Sequence, residues 1–568
     1  MGPWCGTIGA VTPTDPTETP RFRQIAERVL DALLESAPEE ATQLGDHRFD
    51  DRFADLSEQG VRERASVLHE ALSALDEVDD TVLGDGDGVD LEILRTVVAR
   101  ELWSATQLRP HERDPLRHLP GEGIYPLLVR EIGEPGDRLR ALAARLDAVP
   151  ARLETARRVL HDMARVHVET AIGQAQGLIG MLDDELPALL AKEPALAGEV
   201  GAARGVAVRA LERHVAWLRE QLPEATADPR LGAENYAARL WYTLDTEITP
   251  DALLTRAECD LQAVEEQIAE FASRLDRRPV YAGQVRAVLG RLAAEEPVDD
   301  TTILGLCERT LDRLTARVRE LDLVTVPDVP VRIAVMPPSR RGVAVAYCDP
   351  PGPLEPPAAQ GPGPTLFAVS PTPPDWSPER VASFYREYNG HMLRTLVAHE
   401  AMPGHLLQLA HAAGYRAGTR VRAATLSQVF VEGWAVYAEE LLAQAGLGGS
   451  AAEDDALRVQ QLKMQLRSTI NAILDVRVHA RGMTEDEALT LMRERGHQEE
   501  GEAVGKWRRA LLTSAQLSTY YVGYHAVRTV VDDLHSAEPF TGRRDVHDRV
   551  LSFGSPPPRH LRTLLGLA

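Results

Sequence analysis

Two histidines and a glutamate within one short segment have the side chains needed to bind and use a metal ion. The segment reads His399-Glu400-Ala401-Met402-Pro403-Gly404-His405. A hydrolytic zinc site needs three protein ligands, an open position for water, and a carboxylate that accepts the proton of that water. His399 and His405 are candidate ligands, and Glu400 is the candidate carboxylate. The segment therefore predicts metal-assisted hydrolysis.

The spacing of the two histidines departs from the usual H-E-x-x-H pattern, because His405 follows His399 by six positions instead of four. On a regular helix six residues turn through about 600°, which leaves the two rings about 120° apart. Pro403 removes a helical hydrogen bond, and Gly404 relaxes the limits on backbone dihedrals. We predict a break in the helix that brings His405 back toward His399. In the alternative interpretation, the proline and glycine simply end an ordinary helix.

Glu432 is the best candidate for a third ligand. It lies in the apolar stretch FVEGWA (430–435), where an ionised carboxylate is costly unless it is paired or binds a metal. An ion pair with a buried arginine such as Arg467 is the alternative. Glu439, two turns later on the same helical face, could accept a hydrogen bond from a ligand histidine. His391, two turns before the first ligand, is a weaker rival for the metal.

The elements that must position these residues are mainly helical by their sequence. Ala, Leu, Arg and Glu are abundant, and 44% of the residues are hydrophobic. Apolar residues recur at helical spacing, and capping residues mark several helix starts. We predict helices over 61–80, 88–108, 137–180, 205–222, 250–276, 377–399, 423–445, 454–480 and 502–534.

The composition changes between about 328 and 374, where a small β element is expected. The apolar runs Val331 to Met336, Val343 to Tyr347 and Thr365 to Val369 are typical of strands. Between the last two, the Pro-rich segment 349–364 is too rich in proline and glycine for regular structure and predicts a loop beside a cleft.

We expect one helical metallohydrolase domain over residues 21–568, preceded by a disordered tail over residues 1–20. Within it, we predict an N-terminal helical lobe (about 21–327), a β and loop segment (about 328–374) and a catalytic helical lobe (about 375–568).

The bulk properties exclude several classes of partner. A formal net charge of −24 disfavours a nucleic-acid backbone or an anionic membrane as the main partner. The four cysteines are widely spaced and form no CxxC pair, which favours reduced thiols. The first residues lack the basic and apolar regions of a signal peptide, and no long apolar run predicts a membrane span. We therefore expect a cytoplasmic protein.

The motifs together resemble those of a known family. HEAMPGHLLQ and FVEGWAVYAEE are similar to the patterns HEAxPGHxxQ and EGWAxYxE of the DUF885 family, a bacterial group related to the gluzincin zinc peptidases. The resemblance extends along most of the chain. It includes ATQLGDHRFDDR (41–52), FYREYNGHML (384–393), a DxxxH element at Asp475 and His479, a QxxxYxxG element at Gln516, Tyr520 and Gly523, and HDRVLSFGSPP (547–557).

The resemblance implies a multi-helical, two-lobed fold like that of M3- and M32-type peptidases, with a deep channel that admits only short peptides. It also implies one Zn²⁺ ion and amide-bond cleavage with Glu400 as general base. Tyr520 is the first candidate for the donor to the oxyanion, with Tyr521 and His479 as further candidates. Asp475 could orient His479. These groups could instead serve packing, and His479 could instead cap its helix before Gly482.

Two departures from the family pattern affect substrate recognition. Tyr347-Cys348-Asp349-Pro350-Pro351 leads into a proline-rich insert that lacks the arginine of the family's DGSRPG-like stretch. The proline expected before Gln516 is also absent. An amide hydrolase acting on a small metabolite or a peptide-like natural product is therefore an alternative to a peptidase, and a non-catalytic metal-binding protein is a third. Zinc, manganese and cobalt are not distinguished by a His/His/Glu ligand set.

Overall fold

The structure is a computed structural model, and it describes residues 18–131, 133–336, 346–355, 363–373 and 376–567. Helices dominate these residues, which confirms the predicted mainly-α class. The helices before the sheet are α1 (Glu18–Ser36), α2 (Pro38–Leu44), α3 (Glu58–Asp76), α4 (Asp85–Trp103), α5 (Pro110–Arg113), α6 (Gly121–Val129), α7 (Pro135–Val159), α8 (Arg165–Leu190), α9 (Ala197–Gln221), α10 (Ala233–Leu244), α11 (Pro250–Asp276), α12 (Gln284–Glu295) and α13 (Ile303–Glu320).

The helices after the sheet carry the candidate site. They are α14 (Pro378–Glu387), α15 (Gly390–Glu400), α16 (His405–Gly414), α17 (Val421–Ala424), α18 (Gln428–Ala445), α19 (Ala451–Arg481), α20 (Glu485–Thr490), α21 (Glu500–Leu512), α22 (Ser518–Ala537), α23 (Arg543–Leu551) and α24 (Pro558–Leu564). Among the described residues, the first helix begins at Glu18, three residues before the expected start of the domain. The rest of the predicted tail, residues 1–17, lies outside the described residues.

The small β element is present at the predicted place. Strands β1 (Val331–Val335), β2 (Ala346–Asp349) and β3 (Thr365–Val369) form a sheet in the order β1-β3-β2. β1 is parallel to β3, whereas β2 is antiparallel to β3 and forms one edge. The second strand ends two residues later than predicted, and its expected start at 343–345 lies outside the described residues. Residues 356–362 of the predicted Pro-rich loop also lie outside them.

One long helix predicted over 137–180 is two helices, α7 and α8. Between them the backbone bonds to other segments instead of continuing its own helical ladder. The amide of His161 donates to the carbonyl of Glu112 at 2.8 Å, and Ala164 pairs with Thr226 in an isolated β-bridge. These partners are distant in sequence, so local periodicity does not reveal them.

Two further helices predicted as continuous, over 377–399 and 502–534, are also broken. Asn389 ends the first, because its side chain accepts hydrogen bonds from the two amides that open α15. Asp475 in α19 ends the second, because its carboxylate accepts from the amide of Ala515, before α22, and from the amide of Ser518, the first residue of α22. The second break places the start of α22 two residues before Tyr520.

The core around the site combines helices from both predicted lobes. α19 packs along α11, α15 packs on α13, and α18 packs against α22. Helices α6 to α9 share a separate apolar core. The predicted lobe boundaries stay a prediction.

A large cavity lies between the N-terminal helices and the segment that carries Tyr520. Its volume is about 1900 Å³, and Tyr347, Gln428, Gln516 and Thr519 are among its lining residues. A cavity of this size agrees with the predicted deep channel. Among the described residues, no helix combines the length and apolar character needed to cross a bilayer.

Candidate metal centre

The helix break predicted between the two histidines is present. α15 ends at Glu400 and α16 begins at His405, with a cis peptide bond between Met402 and Pro403. Gly404 is required at the break, since an added Cβ atom would lie 1.9 Å from the carbonyl oxygen of His399. The indole N–H of Trp434 donates to the carbonyl of Pro403 at 2.9 Å, which ties the break to α18.

The break and α18 bring His399, His405 and Glu432 together. The Nε2 atoms of the two histidines each lie 3.5 Å from Oε2 of Glu432, and their rings are 4.7 Å apart between centroids. One ligand atom from each residue can be chosen so that all three lie within 4.8 Å of one another. Atoms about 2.0–2.1 Å from a tetrahedral zinc ion are about 3.3–3.5 Å apart, so the cluster has metal-site dimensions.

The electrostatics of the cluster favour a positively charged His399 beside a negatively charged Glu432. Burial opposes the charged form of His399, but Glu432 and Glu439 outweigh it and hold the pKa of His399 well above its usual value. Burial likewise opposes the charge on Glu432, yet the two histidines hold its pKa far below the ordinary range. Glu432 Oε2 is buried without a hydrogen-bond partner among the described residues. A lone pair of this oxygen is therefore available to bind a metal ion.

Glu439 contacts the cluster as predicted. Its Oε1 lies 2.7 Å from Nδ1 of His399, and the side chain is almost fully buried. A carboxylate at this distance fixes the ring with the Nδ1–H toward it and Nε2 toward Glu432. The orientation of His399 is therefore set from the helix that carries Glu432.

Glu400 ends α15 immediately beside His399. Burial raises the pKa of its carboxyl, and the charges that act on it include those of His399, His405 and Glu432. The edge strand β2 contacts α15, and burial and the Glu400 charge raise the pKa of its thiol Cys348. The Glu400 carboxylate thus interacts electrostatically with both the three-residue cluster and the thiol of β2.

Tyr520 reaches the cluster through an unusually close approach of α18 and α22. Gly433 and Gly523 meet at the crossing, where a Cβ on Gly433 would lie 2.3 Å from the carbonyl carbon of Gly523. The Tyr520 ring lies 6.4 Å from the His399 ring between centroids, with the planes 30° apart. Burial and the charge of Glu432 raise the pKa of Tyr520 to about 12. Its hydroxyl therefore stays protonated at neutral pH.

The structure does not bring His479 to the cluster. Its Nε2 lies 2.9 Å and 2.8 Å from the carbonyls of Ala510 and Thr513, and its Nδ1 accepts from the amide of Leu231 at 3.4 Å. Both ring nitrogens are thus engaged by backbone groups, and the ring stacks on Tyr236. These contacts suit a packing role better than the expected catalytic one.

Asp475 was expected to orient His479, but its hydrogen bonds go elsewhere. Its Oδ1 accepts from the amide of Ala515 at 2.9 Å, and its Oδ2 accepts from the hydroxyl of Ser518 at 2.7 Å. These bonds fix the turn that leads into α22. Asp475 therefore positions Tyr520 indirectly, by holding the start of its helix.

The rival assignments do not fit the geometry. Arg467 donates to Glu502 at 2.5 Å and to Glu387 at 3.5 Å, so it is not the partner of Glu432. His391, the weaker rival for the metal, contacts Arg394 at 3.1 Å.

Arg509 was not predicted from the sequence. Its guanidinium donates to the hydroxyl oxygen of Tyr520 at 2.9 Å and to Oε1 of Gln516 at 2.8 Å. It lies on α21 directly after Arg508, which is exposed. No local pattern marks this one, because its partner is set by the fold around the turn after α21.

Fold and site together define a large helical protein with a buried His/His/Glu cluster that has the dimensions of a metal site. The chain belongs to the DUF885 family, described as bacterial protein of unknown function, whose match covers residues 38–565. Among curated proteins, none matches this sequence.

Two solved structures are similar over nearly the whole chain. One is a "putative lipoprotein of unknown function" from Shewanella oneidensis, 25% identical over 96% of this chain and 99% of its own, with a TM-score of 0.77. The other is a "putative lipoprotein" from Colwellia psychrerythraea, 15% identical over 98% and 99%, with a TM-score of 0.80. An M32 carboxypeptidase from Deinococcus radiodurans R1 aligns at 11% identity and a TM-score of 0.40, too low to support an argument.

The expected cytoplasmic location is contradicted by the first two structures, since both belong to proteins named as lipoproteins. The expectation was based on widely spaced cysteines and the first residues of the sequence. A lipid anchor changes neither the fold nor the cysteine spacing of the domain that it carries, so these features do not decide the compartment.

Proposed function

We propose that this protein is a zinc-dependent hydrolase that cleaves amide bonds of short peptides. The observation that supports it best is the convergence of His399, His405 and Glu432 across a helix break, with Glu400 beside them. The donor set is the one used by catalytic zinc sites with two histidines and a glutamate. Glu432 Oε2 lies 3.5 Å from Nε2 of both histidines and, among the described residues, is buried without a hydrogen-bond partner, which fits an atom that shares a metal ion with the two rings.

In the proposed mechanism His399, His405 and Glu432 hold the ion, which when bound supplies a Lewis acid and makes water acidic near neutral pH. Glu400 accepts the proton of the attacking water and delivers it to the leaving amine. The raised pKa of this carboxyl strengthens it as a base. Tyr520 donates a hydrogen bond to the carbonyl oxygen as that oxygen gains negative charge. Glu439 keeps the His399 ring in place throughout.

Two features support an extended peptide as the substrate. β2 is an edge strand beside Glu400, and an edge strand can bind an extended chain through its backbone. The cavity reaches Gln516, which contacts the Tyr520 hydroxyl, and it has room for several residues of a peptide. A folded protein would not enter such a cavity.

The direct test is incubation of zinc-loaded protein with a mixed peptide library, read by mass spectrometry. We expect shortened peptides from the wild type. Glu400→Gln should lose activity roughly 100- to 10,000-fold, the usual contribution of a general base, while keeping its zinc. If the wild type leaves every peptide intact but hydrolyses small amides, the alternative of a metabolite amide hydrolase replaces the peptidase.

Metal analysis tests the ligand set separately from activity. We expect about one zinc per chain in the wild type and a large loss in His405→Ala. His411→Ala is the matched control, because this histidine follows on the same helix but binds the carbonyl of Thr325. Undiminished zinc in His405→Ala would remove His405 from the ligand set.

A further inference from the structure

A second group of charged side chains meets on the cavity wall, away from the metal centre. Five separate elements contribute to it: α2, α3, α4, α10 and the turn before α6. They bring four arginines and two glutamates to one region of the wall, and all six residues line the same cavity. These are Glu40, Arg64, Arg100, Glu101, Arg117 and Arg239.

The positive charges in this arginine cluster are only partly compensated. Glu101 already accepts from Arg64 at 2.9 Å and lies 3.4 Å from Arg100. Among the described residues, no carboxylate lies within ion-pair distance of Arg117 or Arg239. The Nε of Arg239 is also buried without a hydrogen-bond partner.

This arrangement is costly unless an anion is bound. Burial first, and then the charges of Arg117 and Arg100, lower the pKa of Arg239 to about 10. Among the described residues, Glu40 forms no ion pair with any of these arginines, so its carboxylate is not a direct counter-ion for them. Guanidinium groups bind carboxylates in a planar, two-point geometry, so two of them facing one cavity suit a carboxylate ligand.

We propose that Arg117 and Arg239 form a subsite for a carboxylate group of the peptide substrate. The proposal rests on the proposed function, since it assigns the anion to the molecule that is cleaved. The same cavity wall includes Gln516, which donates to the Tyr520 hydroxyl at 3.3 Å. A peptide with its scissile carbonyl near Tyr520 can therefore extend through the cavity to the arginines.

Two parts of a peptide carry a carboxylate: its free C-terminus and an acidic side chain. Both have the same chemistry, so the probes must distinguish them. Three acetylated tripeptides serve this purpose: an alanine peptide with a free C-terminus, its C-terminal amide, and an amide whose last residue is glutamate. Acetylation removes the amino-terminal charge from all three.

The test is calorimetric binding of these three peptides to the full-length, zinc-loaded Glu400→Gln protein, in which turnover is suppressed. We expect the free acid to bind roughly 10- to 100-fold more tightly than the alanine amide, the range of a charge-assisted contact. Adding Arg239→Gln or Arg117→Gln should bring this ratio close to one. Tight binding of the glutamate amide would assign the subsite to an acidic side chain.

Arg113→Gln is the matched control, because Arg113 lines the same cavity but is exposed and is not among the charges that act on Arg239. The control should keep the preference for the free acid. Equal binding of acid and amide, a preference that survives Arg239→Gln and Arg117→Gln, or no binding of any probe would overturn the subsite. A preference for the acid without cleavage by the wild type would instead keep the subsite and refute the proposed peptidase.

Discussion

At the scale of single residues, two neighbouring donors determine how the Tyr520 hydroxyl orients its own hydrogen bond. Its oxygen accepts from Arg509 at 2.9 Å and from Gln516 at 3.3 Å. A phenol oxygen has two acceptor positions and one hydrogen, so these two donors leave the O–H free to donate elsewhere. With a pKa raised to about 12, Tyr520 keeps that hydrogen at neutral pH. Arg509 therefore acts through Tyr520 as a positioning residue.

Replacing Tyr520 by phenylalanine tests this role. We expect kcat on a cleaved peptide to fall roughly 100- to 1000-fold, because a donor to the oxyanion is lost, while KM changes little. The control is Tyr521→Phe, since the Tyr521 hydroxyl donates to Asp260 at 2.5 Å. Steady-state kinetics of both variants decide the matter. Equal kcat in wild type and Tyr520→Phe would exclude Tyr520 from the chemistry.

At the scale of elements, the crossing of α18 and α22 connects the candidate ligand Glu432 with Tyr520. Gly433 and Gly523 face each other at this crossing, with no space for a side chain on either. Glycine costs stability inside a helix, so its presence at both positions is explained by the contact. The distance between the two helices fixes the distance between Tyr520 and the cluster.

Gly433→Ala should separate the two helices and disturb both stability and the site. We expect the free energy of unfolding to fall by about 1–3 kcal/mol, the usual cost of overpacking, together with a loss of activity. Gly505→Ala in α21 is the control. No atom lies within 4 Å of its added Cβ, so it should gain up to about 1 kcal/mol from helix propensity. Denaturant titration compares the two; a stable, active Gly433→Ala protein would contradict this account.

The elements also show what the sequence can predict. Pro403 and Gly404 predict the helix break from local chemistry alone, and the apolar neighbours of Glu432 predict that its carboxylate needs a partner. Arg509 and the contacts of Asp475 depend on segments that meet only in the fold. The DxxxH motif predicted that Asp475 lies near the site, but it did not predict which groups this carboxylate binds.

At the scale of the whole molecule, the N-terminal segment 41–52 is linked to the candidate metal centre through β2. His47 lies 2.8 Å from Asp50 and 3.0 Å from Glu355, just beyond that strand. Gly352 packs so closely on Leu44 that a Cβ would lie 2.4 Å from its carbonyl carbon. Within β2, Asp349 accepts from Arg130 of the N-terminal half at 2.6 Å. Residues far apart in sequence thus hold the strand beside Glu400.

This link predicts a specific pH dependence of stability. The carboxylates of Asp50 and Glu355 raise the pKa of His47 to about 10, from about 6.5 in an unfolded chain. A raised folded-state pKa means that the stabilisation is complete below pH 6.5 and is lost as the pH rises toward 10. We expect His47→Gln to destabilise the protein at pH 6.5 by on the order of 1–2 kcal/mol, allowing for partial exposure, and much less at pH 10.

The measurement is the free energy of unfolding of wild type and His47→Gln at both pH values. Only the difference between the two proteins is used, because other groups titrate over the same range. His69→Gln, on an exposed face of α3, controls for the loss of a histidine that makes no such contact. A destabilisation by His47→Gln that is equal at pH 6.5 and pH 10 would show that the ion pair does not hold the N-terminal segment against the loop after β2.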